Sequence, residues 1–519
     1  MESKAIQDGF VRLIVFLGGL TSIGLELTTS RLLAPYFGGS TFIWANLIGL
    51  TLAHLSLGYY LGGRLADRRP SPELLFTITA VAAFAVGLIP LMSRPLLSFS
   101  LSAFDDLSVG AFYGSLLGVL LLTGIPTTLL GFVTPFAIRL RLRAVADAGQ
   151  TAGGIYALST LGSIAGSFLP VIVLIPLFGT ARTFLTLGLA LLIPSALALV
   201  TLKARLLAIL CIVLGIVQIG IATTGSASAI RPADRGRLVY ESESEYNYIQ
   251  VLEEDGAYLL ALNEGHAIHS IYDPNQLLTR GPWDYFMAGS LFNPAASTET
   301  TKSALLIGLA GGTVARQLTA AYGPIPIDGV EIDPEIVRVG RKYFGMDEPN
   351  LNVIVEDGRY FLRTTEQRYD LIGVDAYRQP YIPFQLTSRE FFQEVSDRLT
   401  PAGVAVINVG RTSTDYRLVD AIASTMTSVY PHVYVIDVER YSNSIVVGAS
   451  SEASIANFAA NASLLPVDSP LRVVADRSLL TGNIREVSPG GTVFTDDRAP
   501  VEQVVDQIIL NVAREGEDE

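Results

Sequence analysis

The sequence predicts a chain of two architectures, a multi-pass α-helical membrane domain followed by an acidic α/β domain with a doubly wound parallel sheet. Three observations predict this. The first 225 residues consist mainly of apolar runs, the remainder has the composition of an ordinary globular protein, and from Ala304 short apolar runs alternate with amphipathic helical patterns. Strands and helices that alternate at this spacing build right-handed crossovers on one parallel sheet.

The membrane prediction depends on seven apolar segments, each long enough to cross a hydrocarbon core of about 30 Å. They lie at residues 10–35, 41–66, 73–97, 107–138, 154–178, 182–202 and 204–224. Because the segments recur and no small-residue cleavage pattern follows the first, a cleaved signal peptide does not explain them. Within the fourth, Gly124-Ile125-Pro126 predicts an interruption and is a candidate re-entrant turn. We therefore assign residues 1–225 to a membrane domain of about seven helices.

Basic residues predict the orientation of this domain. Ten Lys and Arg side chains lie in loops on one side of the predicted membrane domain. Only Arg31, Arg94 and Arg182 lie in loops on the opposite side. Cytoplasmic loops are enriched in Lys and Arg, so the N-terminus is expected in the cytoplasm. Seven crossings then place residue 231 onward outside the cell, and a miscount of one crossing reverses that side.

Three polar residues, Glu26, Asn46 and His54, fall inside the predicted spans. Ionisable groups at membrane depth are costly and are usually paired. They are compatible with a proton or substrate path and equally with hydrogen bonds between helices. The sequence leaves both interpretations open.

Charge and cysteine content limit the functions of the soluble part. Residues 231–519 carry 23 Lys and Arg against 41 Asp and Glu, a net charge of −18. This balance disfavours nucleic acid and suits a cationic substrate, although solubility alone would also explain it. The single cysteine, Cys211, excludes a disulfide framework and a thiolate metal site, and four histidines make a zinc or iron centre unexpected.

Four features end consecutive predicted strands of the parallel sheet, at the edge where ligands of such sheets bind. A glycine-rich turn at 308–312 lets a ligand approach the backbone closely. Glu331 follows Gly308 by 23 positions, near the spacing at which an acid binds ribose hydroxyls. Asp357-Gly358 ends the third strand, where an acid can bind an adenine amino group, and Asp375 ends the fourth. Together they predict an adenosine-type site, and a carboxylate on the ribose disfavours a 2′-phosphate.

At these positions the chain resembles the spermidine synthase (polyamine aminopropyltransferase) family over about 238–448, and the whole chain is similar to the membrane-fused members. The motifs that carry the likeness are SEYNYIQV (244–251), AYLLALNEGHAIHS (257–270), GPWDYF (281–286), VEIDPEIV, VEDGRYFL and RYSNSIVVG (440–448). The resemblance implies a linker at 226–237 and a small β-hairpin module at 238–300. It implies an α/β Rossmann-like (class I methyltransferase-type) catalytic domain with a C-terminal extension at 301–519.

The resemblance also implies the reaction. An aminopropyl group would pass from decarboxylated S-adenosylmethionine to a polyamine, forming spermidine or spermine and releasing methylthioadenosine, without a metal. The expected partners are the polyamine, a lipid membrane and a second copy of the chain in a homodimer, but no nucleic acid. The expected co-substrate is a cytoplasmic metabolite, which conflicts with the outside location that the basic loops predict.

Residue roles follow from the resemblance by position. Glu331 would hold the ribose and Asp357 the adenine, Asn247 would stand near the sulfonium, and Gly308, Gly311 and Gly358 would line the nucleotide. Asp375 matches the first aspartate of the family's Asp-x-x-Asp loop, where a carboxylate can take a proton from the attacking ammonium and align the amine. A cap on the following turn is the structural alternative for Asp375.

Two departures from the family concern the amine. Gly311 stands about where the family has an acid for the aminopropyl ammonium, and Arg378 stands at the second aspartate. A short diamine would be repelled, so the acceptor is expected to be longer or bound in another way. Candidate acceptor-binding residues are Glu264, His269, Asp284, Tyr377 and Tyr441. Glu264 and Asp284 would be replacement acids, and the tyrosines, together with Trp283, Tyr285 and Tyr381, would offer cation–π faces. Each is equally compatible with a half-buried structural role.

The C-terminal motif FTDDRAPVEQ (494–503) resembles a signature of the membrane-fused group. Its acids, Asp496, Asp497 and Glu502, either close the acceptor pocket or clasp the tail to the domain. Two other functions stay open on the sequence. One is a methyltransferase that uses intact S-adenosylmethionine, and the other is a polyamine transporter or sensor whose nucleotide domain has lost catalysis.

Overall fold

The structure is a computed structural model that describes residues 2–37, 41–102, 110–142, 144–223, 231–263, 267–378, 381–449, 452–480 and 482–515. The chain forms two compact units. The first consists of Met1–Pro232 together with Glu241–Tyr248, and the second of Ala233–Tyr240 together with Ile249–Glu519.

Up to Thr223, the first unit is mainly helical over its described residues. Its helices are α1 (Glu2–Phe37), α2 (Thr41–Arg68), α3 (Pro72–Ser102), α4 (Gly110–Gly131), α5 (Val133–Arg141), α6 (Ala148–Phe168), α7 (Ile175–Phe178), α8 (Thr180–Thr201) and α9 (Arg205–Thr223). A π-helical turn at Leu169–Leu174 joins α6 to α7.

Five helical stretches are long and apolar enough to cross a membrane, counted over the described residues. They are Ile6–Phe37, Pro72–Ser100, Tyr113–Arg141, Val145–Phe178 and Thr180–Thr201. These coincide with five of the seven predicted segments. The second predicted segment is occupied by α2, and the seventh by a shorter apolar helix at Arg205–Gly220.

The predicted interruption at Gly124-Ile125-Pro126 is wrong, because α4 continues through Pro126 and ends at Gly131. A proline is tolerated within an apolar helix where neighbouring groups satisfy the freed carbonyl. The break lies at Phe132, between α4 and α5. Near it Gly58 of α2 meets α4, since a Cβ on Gly58 would stand 2.8 Å from the Gly131 Cα. Small residues here let the two backbones approach closely.

Two of the intramembrane polar residues lie between α2 and α4. Asn46 donates from Nδ2 to the Ser115 hydroxyl over 3.0 Å, which is the interhelical hydrogen bond that one interpretation predicted. His54 is buried beside Gly124, where a Cβ would stand 3.3 Å from its Nε2. Glu26 on α1 is half-buried.

The strands form two sheets. A four-stranded sheet has the order β1-β2-β3-β4 and an eight-stranded sheet the order β12-β10-β11-β9-β8-β5-β6-β7. The strands are β1 (Arg237–Glu243), β2 (Tyr248–Glu254), β3 (Ala257–Leu262), β4 (Ile268–Tyr272), β5 (Ala304–Ile307), β6 (Ile327–Glu331), β7 (Leu351–Val355), β8 (Tyr369–Val374), β9 (Leu399–Gly410), β10 (His432–Asp437), β11 (Asn443–Ala449) and β12 (Ile484–Glu486).

The larger sheet confirms the predicted Rossmann-like fold. Strands β9, β8, β5, β6 and β7 are parallel neighbours, and β5 at the centre pairs with both β6 and β8. An antiparallel extension through β11, β10 and β12 completes the sheet. The accompanying helices are α10 (Pro282–Tyr285), α11 (Thr313–Tyr322), α12 (Pro334–Tyr343), α13 (Gly358–Thr364), α14 (Arg389–Asp397), α15 (Arg417–Thr427), α16 (Ile455–Leu464), α17 (Pro470–Ser478) and α18 (Val501–Glu515).

Local sequence signals explain where α12 and α13, the helices that follow β6 and β7, begin. Asp333 caps α12 by accepting a hydrogen bond from the Glu335 N–H, and Pro334 takes the first helical position, where no amide hydrogen is needed. Asp357 caps α13 in the same way, accepting from the Tyr360 N–H. Because both caps follow strands directly, they fix the turns at the carboxyl edge of the sheet.

Candidate active site

The turn after β5 requires glycine. Gly308 has φ +88°, and a Cβ there would stand 2.6 Å from the Asp375 carbonyl oxygen. Gly312 has φ +86° and precedes α11. Between them, Gly311 donates its N–H to the Ser270 hydroxyl over 2.8 Å. The turn therefore lies directly against the end of β8 on one side and against β4 on the other.

Glu331 ends β6 and turns its carboxylate to this glycine turn. Its Oε2 accepts the Ala310 N–H over 2.9 Å and its Oε1 accepts the Asp333 N–H over 3.1 Å. Burial raises the pKa of Glu331 to about 7, an effect that these two hydrogen bonds oppose. The side chain is thus held rigidly beside the backbone of the turn, in a position where a carboxylate can accept hydrogen bonds from vicinal hydroxyls.

Asp357 and Gly358 follow β7. The Asp357 Oδ1 accepts the Tyr360 N–H over 2.9 Å, so the carboxylate is oriented by its own helix while the residue stays half-buried. Gly358 packs on β5, because a Cβ there would stand 2.3 Å from the Ile307 side chain. Any larger residue at 358 would push α13 away from the sheet edge.

Asp375 follows β8 at the centre of the edge. Its N–H donates to the Ile307 carbonyl over 2.8 Å, and its Oδ1 accepts from the Asn408 side-chain amide over 2.9 Å. Burial raises the pKa of Asp375 to about 7, while hydrogen bonds from Asn408 and Trp283 act in the opposite direction. A carboxyl group with this pKa exchanges a proton near neutral pH, as acid–base catalysis requires.

Asn408 was not predicted from the sequence. It lies on β9, only 5% exposed, inside the apolar run 403–410. Its Oδ1 accepts from the Asn443 side-chain amide over 2.9 Å, and its own amide donates to Asp375. The one sequence signal is a polar residue near the end of an otherwise apolar strand, at the edge where the other site residues lie.

Aromatic side chains border Asp375. Tyr377 donates its hydroxyl to the Asn408 carbonyl over 3.0 Å, and burial together with the Asp375 charge raises the pKa of that hydroxyl. Trp283 is buried and meets Tyr441 edge to face, with ring centroids 6.3 Å apart. Tyr441 is 37% exposed, so it presents an accessible ring near the Trp283 indole. Tyr285, in contrast, is buried in the core.

Asp284 does not fit the predicted acceptor role. The side chain is fully buried, and its oxygens accept hydrogen bonds from the Thr279 N–H and hydroxyl, the Arg280 N–H and the Gln317 amide. A carboxylate with this many donors stabilises the surrounding loop and has no exposed surface for an amine. We therefore assign Asp284 to the fold.

The other predicted residues are dispersed. His269 lies half-buried on β4, where burial lowers its pKa to about 4 and its Nε2 has no hydrogen-bond partner among the described residues. Asn247 belongs to the first unit, in the turn between β1 and β2, and its N–H donates to the Ser244 hydroxyl. Glu264 lies outside the described residues. Among the residues described, no group of three or more His, Cys, Asp or Glu side chains is arranged to hold a metal ion.

The C-terminal acids separate into different environments. Asp496 pairs with the buried Arg359 guanidinium through two hydrogen bonds of 2.7 and 2.8 Å, and Glu394 pairs with the same guanidinium. This is the clasp that one interpretation of FTDDRAPVEQ predicted. Asp497 and Glu502 are exposed.

Comparisons with known proteins agree with this architecture. A family profile described as "Spermine/spermidine synthase domain" matches residues 292–459. A probable polyamine aminopropyl transferase of Bifidobacterium longum is 33% identical over 299 residues, 53% of this chain and 65% of that protein. A polyamine aminopropyltransferase of Vibrio vulnificus is 31% identical over 219 residues, 40% of this chain and 71% of that protein.

A solved structure also aligns with the chain. It is that of a probable spermidine synthase from Corynebacterium glutamicum, with a TM-score of 0.40 and 21% identity over 50% of this chain and 96% of that one.

Proposed function

This chain belongs to the spermine/spermidine synthase (polyamine aminopropyltransferase) family, and we propose that it transfers an aminopropyl group from decarboxylated S-adenosylmethionine to an amine of a polyamine. Methylthioadenosine is the second product. The observation that carries the proposal is the position and pKa of Asp375. Its carboxyl group lies at the end of β8 beside the glycine turn, and burial raises its pKa to about 7.

The nucleotide part of the co-substrate would bind at the first three strand ends. Glu331 would accept hydrogen bonds from the ribose hydroxyls, and the half-buried Asp357 would accept one from the adenine amino group. Gly308 and Gly311 would present their backbone to the nucleotide. The absence of a Cβ lets this turn pack against Asp375 at Gly308 and against Ser270 and Phe344 at Gly311. Support for this arrangement comes from the hydrogen bonds that already hold the Glu331 and Asp357 carboxylates in fixed orientations.

The acceptor amine must lose a proton before it can attack carbon. Asp375 in its ionised form would accept that proton, and the amine nitrogen would then form a bond to the aminopropyl carbon next to sulfur. As that carbon–sulfur bond breaks, its electron pair returns to sulfur and the sulfonium becomes a neutral thioether. Alignment of the nitrogen and carbon by the site lowers the entropic part of the barrier.

The acceptor is proposed to be longer than a short diamine, and spermidine is the acceptor that we expect to react best. Arg378 is exposed three residues after Asp375 and carries a positive charge that a diamine held close by would meet. A longer polyamine places its next ammonium farther away. Tyr441 and Tyr377 offer aromatic faces for that part of the chain.

We also propose that the five long apolar helices anchor the enzyme in a membrane and that the enzyme acts as a homodimer. The anchor proposal is supported by stretches of 22 to 34 residues with mean hydropathy of 1.7 to 2.3. Extraction from cell membranes by detergent, and not by high salt, is the expected behaviour.

Mass spectrometry of detergent-purified protein tests the proposed reaction. The protein is incubated with decarboxylated S-adenosylmethionine and, separately, putrescine, cadaverine and spermidine. Methylthioadenosine and an amine heavier by one aminopropyl unit are expected. Nucleotide binding without product from any amine would overturn the proposal, and a methylated product from intact S-adenosylmethionine would replace it with a methyltransferase.

Two variants make the test specific to Asp375. Asp375→Asn should keep nucleotide binding and lose about 10²- to 10⁴-fold in turnover, the usual range for removal of an acid–base group. Asp370→Asn makes the same chemical change at the opposite end of β8, where the carboxylate accepts from Thr400 and the Lys302 N–H, and should retain turnover. Equal losses in both variants would assign Asp375 a structural role.

A further inference from the structure

The loop after Asp375 is held by a segment that lies outside the matched family domain. The family profile ends at residue 459, whereas α18 begins at Val501. From this helix the Asp506 Oδ1 accepts a hydrogen bond from the Tyr381 hydroxyl over 2.6 Å. Tyr381 lies six residues after Asp375, so the C-terminal helix contacts the loop that leaves the proposed catalytic acid.

The hydrogen bond between Tyr381 and Asp506 also restrains Arg378, because Tyr381 and Arg378 are joined through their backbones. Arg378 and Tyr381 exchange two backbone hydrogen bonds, 2.8 Å from the Arg378 N–H and 3.1 Å from the Tyr381 N–H. A shift of Tyr381 therefore moves Arg378. On the other side, Asp375 itself is fixed by its N–H bond to Ile307. The loop thus has one end attached to the sheet and the other attached to α18.

The helix that carries Asp506 is firmly docked. Val501, Val505 and Ile508 recur at helical spacing and are at most 7% exposed. They belong to the same apolar cluster as Ile382 and Leu386, which lie one and five residues after Tyr381. Helix α18 and the second half of the loop therefore share one core, and the Asp506 carboxylate is the polar contact at its border.

The segment that precedes α18 has further attachments. Phe494 donates its N–H to the Thr425 hydroxyl over 2.9 Å and accepts from the Arg389 N–H over 2.8 Å. Asp496 is paired with Arg359, a residue of α13 in the nucleotide half. Because these contacts anchor the segment on three helices, it is a rigid support for Tyr381.

From this arrangement we propose that Asp506 and Tyr381 are positioning residues that set the acceptor specificity of the enzyme. They fix the backbone of the loop at Arg378, three residues after Asp375, so that the Arg378 charge would discriminate among amines by the distance between their positive charges. The inference depends on the proposed function for its substrate, a linear polyamine. Neither residue is assigned a contact with the nucleotide, so binding of the co-substrate is independent of them.

Steady-state kinetics separates this role from general stabilisation. Asp506→Ala and Tyr381→Phe should each raise the KM for spermidine about tenfold, the scale of one lost hydrogen bond to a charged group, and leave the KM for the co-substrate unchanged. The double variant should lose no more than either single variant. Asp506→Asn keeps an acceptor for the Tyr381 hydroxyl and should restore the wild-type KM. Gln507→Ala, on the exposed side of α18 where Gln507 accepts from Arg417, is the matched control.

Hydrogen exchange provides a readout that does not need activity. In Asp506→Ala, the amides of Arg378 and Tyr381 should exchange faster than in the wild type, while those of α11 should be unchanged. Additive kinetic losses, an equal rise in both KM values, or unchanged exchange at Arg378 and Tyr381 would each overturn the inference. If the wild type transfers no aminopropyl group, the proposed function fails and the exchange result alone decides whether Asp506 positions the loop.

Discussion

The Asn408 side-chain amide donates a hydrogen bond of 2.9 Å to the Asp375 Oδ1 from inside the core. The orientation of this amide is not arbitrary. Its oxygen accepts from the Asn443 amide, so its nitrogen must face Asp375. A buried carboxyl group is thereby given a fixed direction and a donor that favours its ionised form, which limits the rise in pKa that burial causes.

Removal of the Asn408 amide should shift the pH dependence of turnover. In Asn408→Leu, which keeps the number and branching of the side-chain heavy atoms, the Asp375 carboxylate loses a stabilising donor and its pKa should rise. We expect the acidic limb of the kcat/KM profile to move upward by roughly one pH unit. Nucleotide affinity serves as the control. An unshifted limb with reduced turnover would mean that Asn408 acts only by packing.

The wild-type profile itself is a prediction. Asp375 must be ionised to accept a proton, and its pKa is raised to about 7. Below pH 7 the carboxyl group is increasingly protonated, so kcat/KM should rise about tenfold per pH unit from pH 5 to pH 7 and level off above that. A profile that stays flat over this range would exclude Asp375 as the base.

Ionisation of Glu331 should cost stability. Its pKa is raised to about 7 in the folded protein from a value of 4.5, so the folded state holds a proton that the unfolded state has lost between these values. Stability should therefore fall as pH rises from about 4.5 to 7 and stay low above that. Glu331→Gln should be more stable than the wild type at pH 8 by on the order of 2 kcal/mol, with no gain at pH 4.

Urea unfolding of the α/β domain at the two pH values measures this difference in stability. Nucleotide binding should be weakened in the same variant, since an amide cannot accept two ribose hydroxyls as a carboxylate does. A variant that is less stable at pH 8 would show that the hydrogen bonds to Glu331 outweigh its desolvation.

Gly308→Ala should disturb both the glycine turn after β5 and the backbone at Asp375. The added methyl group would stand 2.6 Å from the Asp375 carbonyl oxygen, and φ +88° is unfavourable for alanine. We expect loss of nucleotide binding and at least about tenfold lower turnover, with destabilisation of roughly 1–3 kcal/mol. Gly323→Ala has a similar φ of +80° with open space around it and controls for backbone strain alone. Equal effects in the two variants would contradict the proposed contact.

Arg378→Asp should improve the use of short diamines. The substitution removes a positive charge near Asp375 and adds an acid that can bind an ammonium, so kcat/KM for putrescine should rise at least about tenfold relative to spermidine. Arg378→Ala distinguishes relief of repulsion from the new acid, since it does only the first. An unaltered preference in both variants would show that Arg378 does not select the acceptor.

Much of the fold could be predicted because its signals are local. Helices α11 and α12 belong to the alternation of apolar runs and amphipathic patterns that begins at Ala304, and α12 begins at Pro334, a residue that favours the first position of a helix. The strand ends at Glu331 and Asp375 followed from the topology of parallel sheets. Helices α16 and α17, in contrast, are held in place by tertiary contacts. Asn461 of α16, for example, donates to the Leu291 and Asn293 carbonyls, more than 160 residues away.

The site was predicted less completely, because several of its contacts form only in the tertiary structure. Asp375 is visible in the sequence because it interrupts an apolar strand, but its partner Asn408 becomes relevant only when β9 pairs with β8. Asp284 was an acceptor candidate by its charge. Its donors Thr279 and Arg280 lie five and four residues before it, whereas the Gln317 amide comes from α11, 33 residues away. The hydrogen bonds from Asn408 and Gln317 to these acids therefore depend on the tertiary structure.

The antiparallel hairpin of β10 and β11 requires a turn of fixed length between its strands. Its register places Asn443 opposite Gly410 and Ile445 opposite Asn408. Side chains alternate between faces along a strand, so a one-residue slip would turn Asn443 away from Asn408. A single inserted residue at Glu439–Ser442 could thus leave a well-folded protein whose acid is misdirected. For protein engineering, the length of this turn is therefore to be kept, because it sets the alignment of Asn443 with Asn408 and so the direction of the Asn408 amide towards Asp375.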